Sequence, residues 1–232
     1  MCRLLGIKHF DFEKHGELLE NFAALAETGK VLNKENPGHN DGWGIGYYRD
    51  GKASVYKSGN SIAKERKTYL KKLEDIAHSP VLIAHLRKSA WPGTTSAPNS
   101  HPFEYKNLML AHNGTIRDYE KLFEKISPGN KPGHNALDTE VLLRFVSNSL
   151  SADIQNAFKE SAAYIIKNNS YTSLNCIFSD GKKLCAYREY AKNPRYYSLY
   201  HAQAGNSRII SSEPLSQGLE WKLLGKRELF IA

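Results

Sequence analysis

The sequence has few cysteines and no long run of apolar residues. Its three cysteines, Cys2, Cys176 and Cys185, are too few for a disulfide framework, and no two of them form a C-x-x-C pair that would indicate zinc. No apolar stretch approaches the roughly 20 residues that cross a bilayer, and the start lacks the basic-then-apolar pattern of a secretory signal. We therefore expect reduced thiols in a soluble, cytoplasmic protein with no membrane contact.

The sequence has nine histidines, but they are not spaced as metal ligands usually are. None of the nine histidines falls in an H-E-x-x-H motif or another metal-binding pattern, and most lie in expected loops or at the ends of expected elements. A surface or hydrogen-bonding role is therefore the better interpretation, and we expect no metal site.

Basic residues outnumber acidic ones, 32 against 24, which gives a net charge of +8. A basic helix is expected after Ser61 and tyrosines are frequent late in the chain, a combination typical of nucleic-acid surfaces. The residues concerned are Lys64, Arg66, Lys67, Lys71, Lys72, Tyr187, Tyr190, Tyr196, Tyr197 and Tyr200. No RNA-binding signature, zinc finger or G-x-x-G clamp accompanies them. A basic nucleic-acid-binding protein without catalysis is therefore kept only as the alternative function, and nucleic acid is not the expected partner.

Apolar periodicity predicts a mixture of strands and helices. Strands are expected over 2–8, 43–48, 53–57, 81–87, 108–112, 172–179, 184–190, 196–202, 208–211 and around 221–231, and helices over 16–32, 61–77, 118–126, 139–150 and 153–166. This order favours an α+β fold, with an antiparallel-rich pair of sheets flanked by helices, over alternating βαβ winding. No linker or repeat interrupts the chain, so we expect a single domain over 1–232.

Cys2 is the first residue with catalytic chemistry. If Met1 is removed, Cys2 carries a thiol nucleophile and an α-amine whose unperturbed pKa is about 7.7–8.0. One residue then supplies both nucleophile and base. Taken alone, a cysteine at position two is better interpreted as an ordinary residue at the start of a strand.

Six further motifs follow that of Cys2 in order, and together they resemble a known family. The full series reads M-C-R-L-L-G at 1–6, H-N-D-G-W-G at 39–44, A-H-L-R at 84–87, H-P-F at 101–103, A-H-N-G at 111–114, D-T-E at 138–140 and S-E-P-L at 212–215. In these motifs the chain resembles the class II glutamine amidotransferases of the N-terminal nucleophile hydrolase group. The resemblance spans residues 1 to about 221 and is closest in kind to stand-alone members without a synthase domain.

The resemblance implies both a fold and a reaction. The implied fold is a four-layer αββα sandwich of two antiparallel sheets, with Cys2 at the start of a central strand. The implied reaction is attack of the Cys2 thiolate on the side-chain amide of glutamine or of a γ-glutamyl compound, through a thioester that water releases as glutamate. No metal or organic cofactor is needed. The ammonia or amine is either released or passed to a separate acceptor or synthase subunit.

Four other residues receive roles from the resemblance. Arg87 ends an apolar strand and would hold the α-carboxylate through two parallel hydrogen bonds, with a surface ion pair as the ordinary alternative. Asp138 is expected just before a helix, where it would bind the α-amine, cap the helix, or do both. The Asn113 side chain and the Gly114 backbone N–H would stabilise the oxyanion, with a simple Asn-Gly turn as the alternative.

Other residues near these motifs receive structural or positioning roles. Trp43 is assigned no chemistry, His101 and His112 are interpreted as positioning residues, and Cys176 and Cys185 as structural ones. Two departures from the family pattern affect the pocket walls. Lys88-Ser89-Ala90 lacks the aromatic residue that many synthase-linked relatives have after the arginine, and Leu137 replaces a small polar residue. Larger γ-glutamyl amides are therefore candidate substrates beside free glutamine.

Overall fold

The computed structural model describes residues 2–32, 35–150 and 153–232. Its strands are β1 (Arg3–Asp11), β2 (Trp43–Arg49), β3 (Lys52–Ser58), β4 (His78–Leu86), β5 (Phe103–Tyr105), β6 (Leu108–Asn113), β7 (Asn175–Ser179), β8 (Leu184–Arg188), β9 (Tyr200–Ala204), β10 (Ser207–Ser211), β11 (Lys222–Leu223) and β12 (Glu228–Ile231). Its helices are α1 (Phe12–Thr28), α2 (Ile62–Ile76), α3 (Glu120–Phe123), α4 (Asp138–Asn148) and α5 (Ile154–Asn168), with a 3₁₀ turn at Pro128–Asn130.

The strands form two antiparallel sheets. One sheet has seven strands in the order β11-β9-β10-β1-β4-β2-β3, and the other has five in the order β12-β8-β7-β6-β5. Strand β1 is the middle strand of the larger sheet and pairs with β4 on one side and β10 on the other. An early and a late segment of the sequence therefore meet in the centre of one sheet.

Both faces of β1 are buried, which explains its nearly continuous apolar sequence. Leu5 and Ile7 face the layer formed by α1 and α2, while Leu4 faces the second sheet. Gly6 lies on the same face as Leu4, where a Cβ would come within 2.9 Å of Ile177 Cγ2. Glycine at this position therefore permits the close approach of the two sheets.

Three hydrophobic clusters separate four layers. One lies between α1, α2 and the larger sheet, one between the two sheets, and one between the smaller sheet and α3–α5, where Phe158 stacks on Phe178 at 4.1 Å between ring centroids. This arrangement confirms the expected α+β, four-layer αββα sandwich of two antiparallel sheets. In the described ranges, no helix is both long and apolar enough to cross a membrane.

Capping side chains set the starts of three helices. Asp11 accepts hydrogen bonds from the backbone N–H of Glu13 and Lys14, so α1 begins at Phe12 rather than at residue 16. Ser61 caps α2 as expected, and Asp153 caps α5. A side-chain acceptor near a predicted boundary thus decides where each helix starts.

Several expected elements have different bounds. The helix expected over 118–126 is only the four residues of α3, and the strand expected over 196–202 begins at Tyr200. Strand β5 has no counterpart among the expected elements. Asp138 is the first residue of α4 rather than the residue before it, and the capping position belongs to Leu137.

Replacing Gly6 and Gly16 by alanine should change stability in opposite directions. Gly6→Ala overpacks the space against Ile177 and should lower the free energy of unfolding by about 1–3 kcal/mol. Gly16 lies inside α1, where an added Cβ would have no atom within 4 Å, so Gly16→Ala should raise it by about 0.5–1 kcal/mol. Urea denaturation measures both. Equal effects of the two substitutions would contradict the close packing of the sheets.

Candidate active site

Four of the five sequence-predicted site residues line one cleft. Cys2 lies just before β1, Arg87 just after β4, Gly114 just after β6, and Asp138 at the start of α4. The cleft has a cavity volume of about 30 Å³, far below the roughly 300 Å³ at which ordinary ligand pockets begin. A wider groove of about 920 Å³ lies at the other end of β1, but none of the five residues lines it. The small cleft is therefore the candidate site.

The Cys2 side chain is 7% exposed at the base of this cleft. Its Sγ lies 3.7 Å from the backbone carbonyl oxygen of Lys88. Burial raises the pKa of the thiol, while hydrogen bonding to the Lys88 backbone and the positive charges of Arg87 and Arg3 lower it. The arginines thus favour the thiolate against the cost of its desolvation.

Arg87 is held at the edge of the cleft by its backbone and by hydroxyl groups. Its N–H donates to the carbonyl of Gly42 at 2.8 Å, and its own carbonyl accepts from Asp41 N–H at 3.0 Å. Its Nη2 donates to Ser89 Oγ at 3.0 Å and to Thr94 Oγ1 at 2.8 Å. In the described part of the chain, its guanidinium forms no ion pair, which makes it available to a carboxylate from outside.

Asp138 is a buried carboxylate at the opposite side of the cleft. It is 5% exposed and accepts a hydrogen bond from the backbone N–H of Ile116 at 2.9 Å. Burial raises the pKa of this carboxyl, while the Ile116 N–H and hydrogen bonding from the Trp91 side chain lower it. The position is therefore suited to an ammonium group that enters the cleft.

Residues 88–94, which we term the 88–94 loop, contact both Arg87 and Asp138. Ser89 and Thr94 bind the guanidinium, and the side chain of Trp91 bonds to the carboxylate and meets the Tyr119 ring edge-on at 5.9 Å. Trp91 also places an aromatic ring directly after Lys88-Ser89-Ala90, the segment that lacks the aromatic residue of many synthase-linked relatives. The sequence predicts that this segment is a loop and places Ser89 in the pocket wall, but it assigns no role to Trp91 or Thr94.

Asn113 is the last residue of β6 and is fully buried. Neither its Nδ2 nor its Oδ1 has a hydrogen-bond partner among the described residues. A side chain at the following residue, Gly114, would collide with the carbonyl oxygen of Ser173 and with His112 Nε2. An unsatisfied buried amide costs about 1–3 kcal/mol, and a group that bound to Asn113 would remove that cost.

The histidines around the cleft are uncharged. Burial lowers the pKa of His85 and His101 well below the ordinary range, lowers that of His112, and lowers that of His39 to about 2. His112 Nε2 lies 2.9 Å from the carbonyl oxygen of Ser173, so it carries the proton, and its Nδ1 lies 3.2 Å from Thr139 Oγ1. Both nitrogens of His112 are thus engaged in holding the fold.

Three of the five tyrosines in the nucleic-acid-binding alternative lie away from the surface. Tyr187, Tyr196 and Tyr197 are buried, so their rings are not available to stack on bases. On α2, Lys71 pairs with Glu74 and Asp75.

The other two cysteines lie in the core, and the side chains that could bind a metal are dispersed in the described residues. Cys176 and Cys185 are buried in the core beneath α4 and α5, where burial raises the pKa of both thiols. Across 2–32, 35–150 and 153–232, no group of three or more histidine, cysteine or acidic side chains could hold a metal ion.

Comparison with known proteins gives consistent matches. A family model described as glutamine amidotransferases class-II matches residues 1–197. An uncharacterized protein of Methanocaldococcus jannaschii is 32% identical over 198 residues, which are 82% of this chain and 51% of that protein. The chain thus spans about half the length of this relative.

Solved structures are similar over nearly the whole chain. The glutamine phosphoribosylpyrophosphate amidotransferase from B. subtilis superposes with a TM-score of 0.71 at 18% identity, covering 99% of this chain and 47% of that one. A glutamine aminotransferase class-II domain protein from Silicibacter pomeroyi gives a TM-score of 0.69 at 18% identity, covering 99% and 94%. At these identities, the similarity shows the fold.

The buried neutral histidines should make stability depend on pH. His39, His85, His101 and His112 have lowered pKa values in the folded chain, so below about pH 6.5 the unfolded chain binds protons that the folded chain does not. The free energy of unfolding should therefore fall as the pH is lowered from 7 to 5, by up to about 1.4 kcal/mol per pH unit for each histidine. Urea denaturation at pH 7, 6 and 5 measures the slope.

The His39→Gln variant provides the control for this prediction. Glutamine can still donate to the carbonyl of Leu25, which His39 Nδ1 contacts at 3.1 Å, but it does not titrate. The slope of the free energy of unfolding against pH should decrease by the amount that one titrating group contributes, up to about 1.4 kcal/mol per pH unit. A wild-type protein that is equally stable at pH 5 and pH 7 would contradict the uncharged state of the four buried histidines.

Proposed function

The chain belongs to the class II glutamine amidotransferases, enzymes that cleave the glutamine amide, and on this premise we propose that Cys2 is its nucleophile. The thiolate attacks the carbonyl carbon of the side-chain amide and forms a tetrahedral intermediate. The C–N bond then breaks, the nitrogen leaves with the proton taken from the thiol as ammonia or an amine, and water hydrolyses the thioester to glutamate. No step requires a metal or an organic cofactor.

The observation that carries this proposal is the unsatisfied amide of Asn113. A tetrahedral intermediate places a negative charge on the former carbonyl oxygen, and preorganised donors lower its energy. Asn113 Nδ2 and the N–H of Gly114 are proposed as these donors. The amide has no partner in the described residues, so it is free to donate without first breaking another bond.

Arg87 and Asp138 are proposed to bind the two charged groups of the substrate's amino-acid end. The guanidinium takes the α-carboxylate, and the carboxylate of Asp138 takes the α-ammonium. In the 88–94 loop, Ser89 and Thr94 contact the guanidinium of Arg87, and Trp91 contacts the carboxylate of Asp138. Because the cleft is only about 30 Å³, the loop must shift when substrate enters, and the substrate replaces these contacts.

The proposed base is the α-amine of Cys2 after removal of Met1, a residue that lies outside the described part of the chain. An α-amine has a pKa of about 7.7–8.0 and is poised to accept the thiol proton. His112 is a poor substitute because both of its nitrogens are already engaged. A retained methionine would convert the amine to an amide nitrogen, which cannot accept a proton.

The substrate proposed is glutamine or a larger γ-glutamyl amide. Residues 1–232 are proposed to act as one amidotransferase domain, because β9–β12 complete both sheets after the family match ends at residue 197. Such a domain releases ammonia or delivers it to a separate acceptor or synthase chain. A cytoplasmic location remains a prediction from the sequence.

Substitution of Cys2 should abolish the release of glutamate. Cys2→Ala removes the nucleophile, and Cys2→Ser should be nearly inactive because a hydroxyl forms too little of the anion. Glutamate release is measured with glutamine and a panel of γ-glutamyl amides, and is normalised to the fraction of chains that begin at Cys2 by intact mass. Cys176→Ala and Cys185→Ala, both buried away from the cleft, are the controls and should retain activity. Full activity of Cys2→Ala would overturn the proposal.

Arg87 and Asn113 should give different kinetic signatures. Arg87→Lys keeps the charge but loses the paired hydrogen bonds, so kcat/KM should fall by the equivalent of about 1.5–3 kcal/mol, mainly through KM. Asn113→Ala should lower kcat about 100- to 1,000-fold with little change in KM, because its donor acts on the transition state. Arg66→Lys on exposed α2 is the control. Reversed signatures would show that the two roles are wrongly assigned.

A further inference from the structure

The S-E-P-L motif at 212–215 has no role in the proposed reaction. It lies beyond residue 197, where the family match ends, and none of its residues lines the cleft. Two of its members nevertheless contact the first two residues of β1: Glu213 contacts Arg3, and Ser212 contacts Leu4. These contacts indicate a structural role for the S-E-P-L motif beside the nucleophile.

Ser212 closes the start of β1 with two hydrogen bonds. Its N–H donates to the carbonyl of Leu4 at 3.0 Å, and Leu4 N–H donates to Ser212 Oγ at 2.9 Å. Ser198 Oγ in turn donates to the Ser212 carbonyl at 2.7 Å. The pairing of β1 with β10 is thus continued toward Cys2 after β10 itself has ended at Ser211.

Arg3 is fully buried, and its guanidinium forms two hydrogen bonds and one ion pair. Its Nη1 donates to the carbonyl oxygen of Cys2 at 2.8 Å, Nη2 donates to the carbonyl of Lys30, and Nε lies 2.7 Å from Glu213 Oε1. The guanidinium also lies over the Tyr196 ring at 5.0 Å. Glu213 Oε1 accepts a second hydrogen bond from Lys30 N–H at 2.8 Å. The ion pair is therefore fixed at both ends.

The carbonyl of Cys2 depends on this ion pair for its orientation. The β1–β4 ladder begins at Arg3, which pairs with Leu86, so Cys2 is outside the ladder. The contact of its Sγ with the Lys88 carbonyl, at 3.7 Å, is long. The strong bond to its backbone comes from the guanidinium of the next residue, and that guanidinium is held in place by Glu213.

We propose that Arg3 and Glu213 are positioning residues that fix the backbone of Cys2 and so aim its thiol at the substrate carbonyl. This inference rests on the proposed function, since it assigns a purpose to the geometry of the nucleophile. A displacement of about 1 Å at a reacting atom can cost about 100-fold in rate. The charge of Arg3 also favours the thiolate, which supports the same role.

The test separates turnover from stability with two variants. In the double variant Arg3→Met/Glu213→Leu, both buried charges are replaced by apolar side chains, a change that is often neutral for stability. In Glu213→Gln, Oε1 still accepts from Lys30 N–H and still lies beside Arg3 Nε, but Arg3 loses its counter-charge, which is destabilising. The melting temperature of each variant is measured by circular dichroism. Its kcat and KM are then measured at a temperature at which the variant is folded.

We expect each variant to change a different property: the double variant loses turnover, and Glu213→Gln loses stability. The double variant should melt within a few degrees of wild type but lose at least tenfold in kcat, with KM changed less than twofold. Glu213→Gln should melt lower but keep kcat within about threefold of wild type. The exposed pair Arg66 and Glu20, joined at 2.9 Å, provides the matched control, and Arg66→Met/Glu20→Leu should leave kcat unchanged.

A double variant with wild-type kcat would overturn the inference, and so would a kcat in Glu213→Gln as low as that of the double variant. Failure of the proposed function gives a different result. In that case the wild-type protein itself releases no glutamate from glutamine or from the γ-glutamyl panel, or Cys2→Ala releases as much as wild type.

Discussion

Two antiparallel ladders hold β1 between β4 and β10, and the positions of the cleft residues follow from their registers. Continuing the β1–β4 register by one residue sets Cys2 opposite Arg87. Continuing the β1–β10 register by two residues sets Arg3 opposite Glu213. A shift of one residue in either ladder would turn every side chain of β1 to the other face. The burial of both faces of β1 is thus also what keeps the nucleophile beside its arginine.

The four-layer fold and the residues that share a cleft are predicted through the family that the motifs resemble, whereas apolar periodicity alone favours only a pair of antiparallel-rich sheets flanked by helices. The contribution of the 88–94 loop could not be predicted. Ser89 and Trp91 acquire their roles from the path of an irregular segment, which has no periodicity to interpret. The role of Glu213 depends on a pairing between residues more than 200 positions apart, which no local pattern encodes. The prediction for Asp138 is wrong by one position because helix boundaries depend on the capping residue.

The charges around the cleft are few and unequal. The histidines are neutral, so they neither attract nor repel a substrate carboxylate. Arg3 is paired with Glu213 at 2.7 Å, whereas the hydrogen-bond partners of Arg87 are hydroxyl and carbonyl oxygens, and the charges of Asp41 and Asp138 act on it without a direct ion pair. An anionic group that binds at Arg87 would therefore form the direct ion pair that the described structure lacks there.

The pairing of β1 with β10 in one sheet has a consequence for biosynthesis. The environment of Cys2 includes Ser212 and Glu213, so its native burial cannot be completed until the chain through residue 213 has left the ribosome. At roughly 5–20 residues per second, this takes about 10–40 s. Throughout that interval Cys2 and Arg3 lack the partners that bury them in the folded protein. Cys2 is thus synthesised long before the segment that completes its native environment.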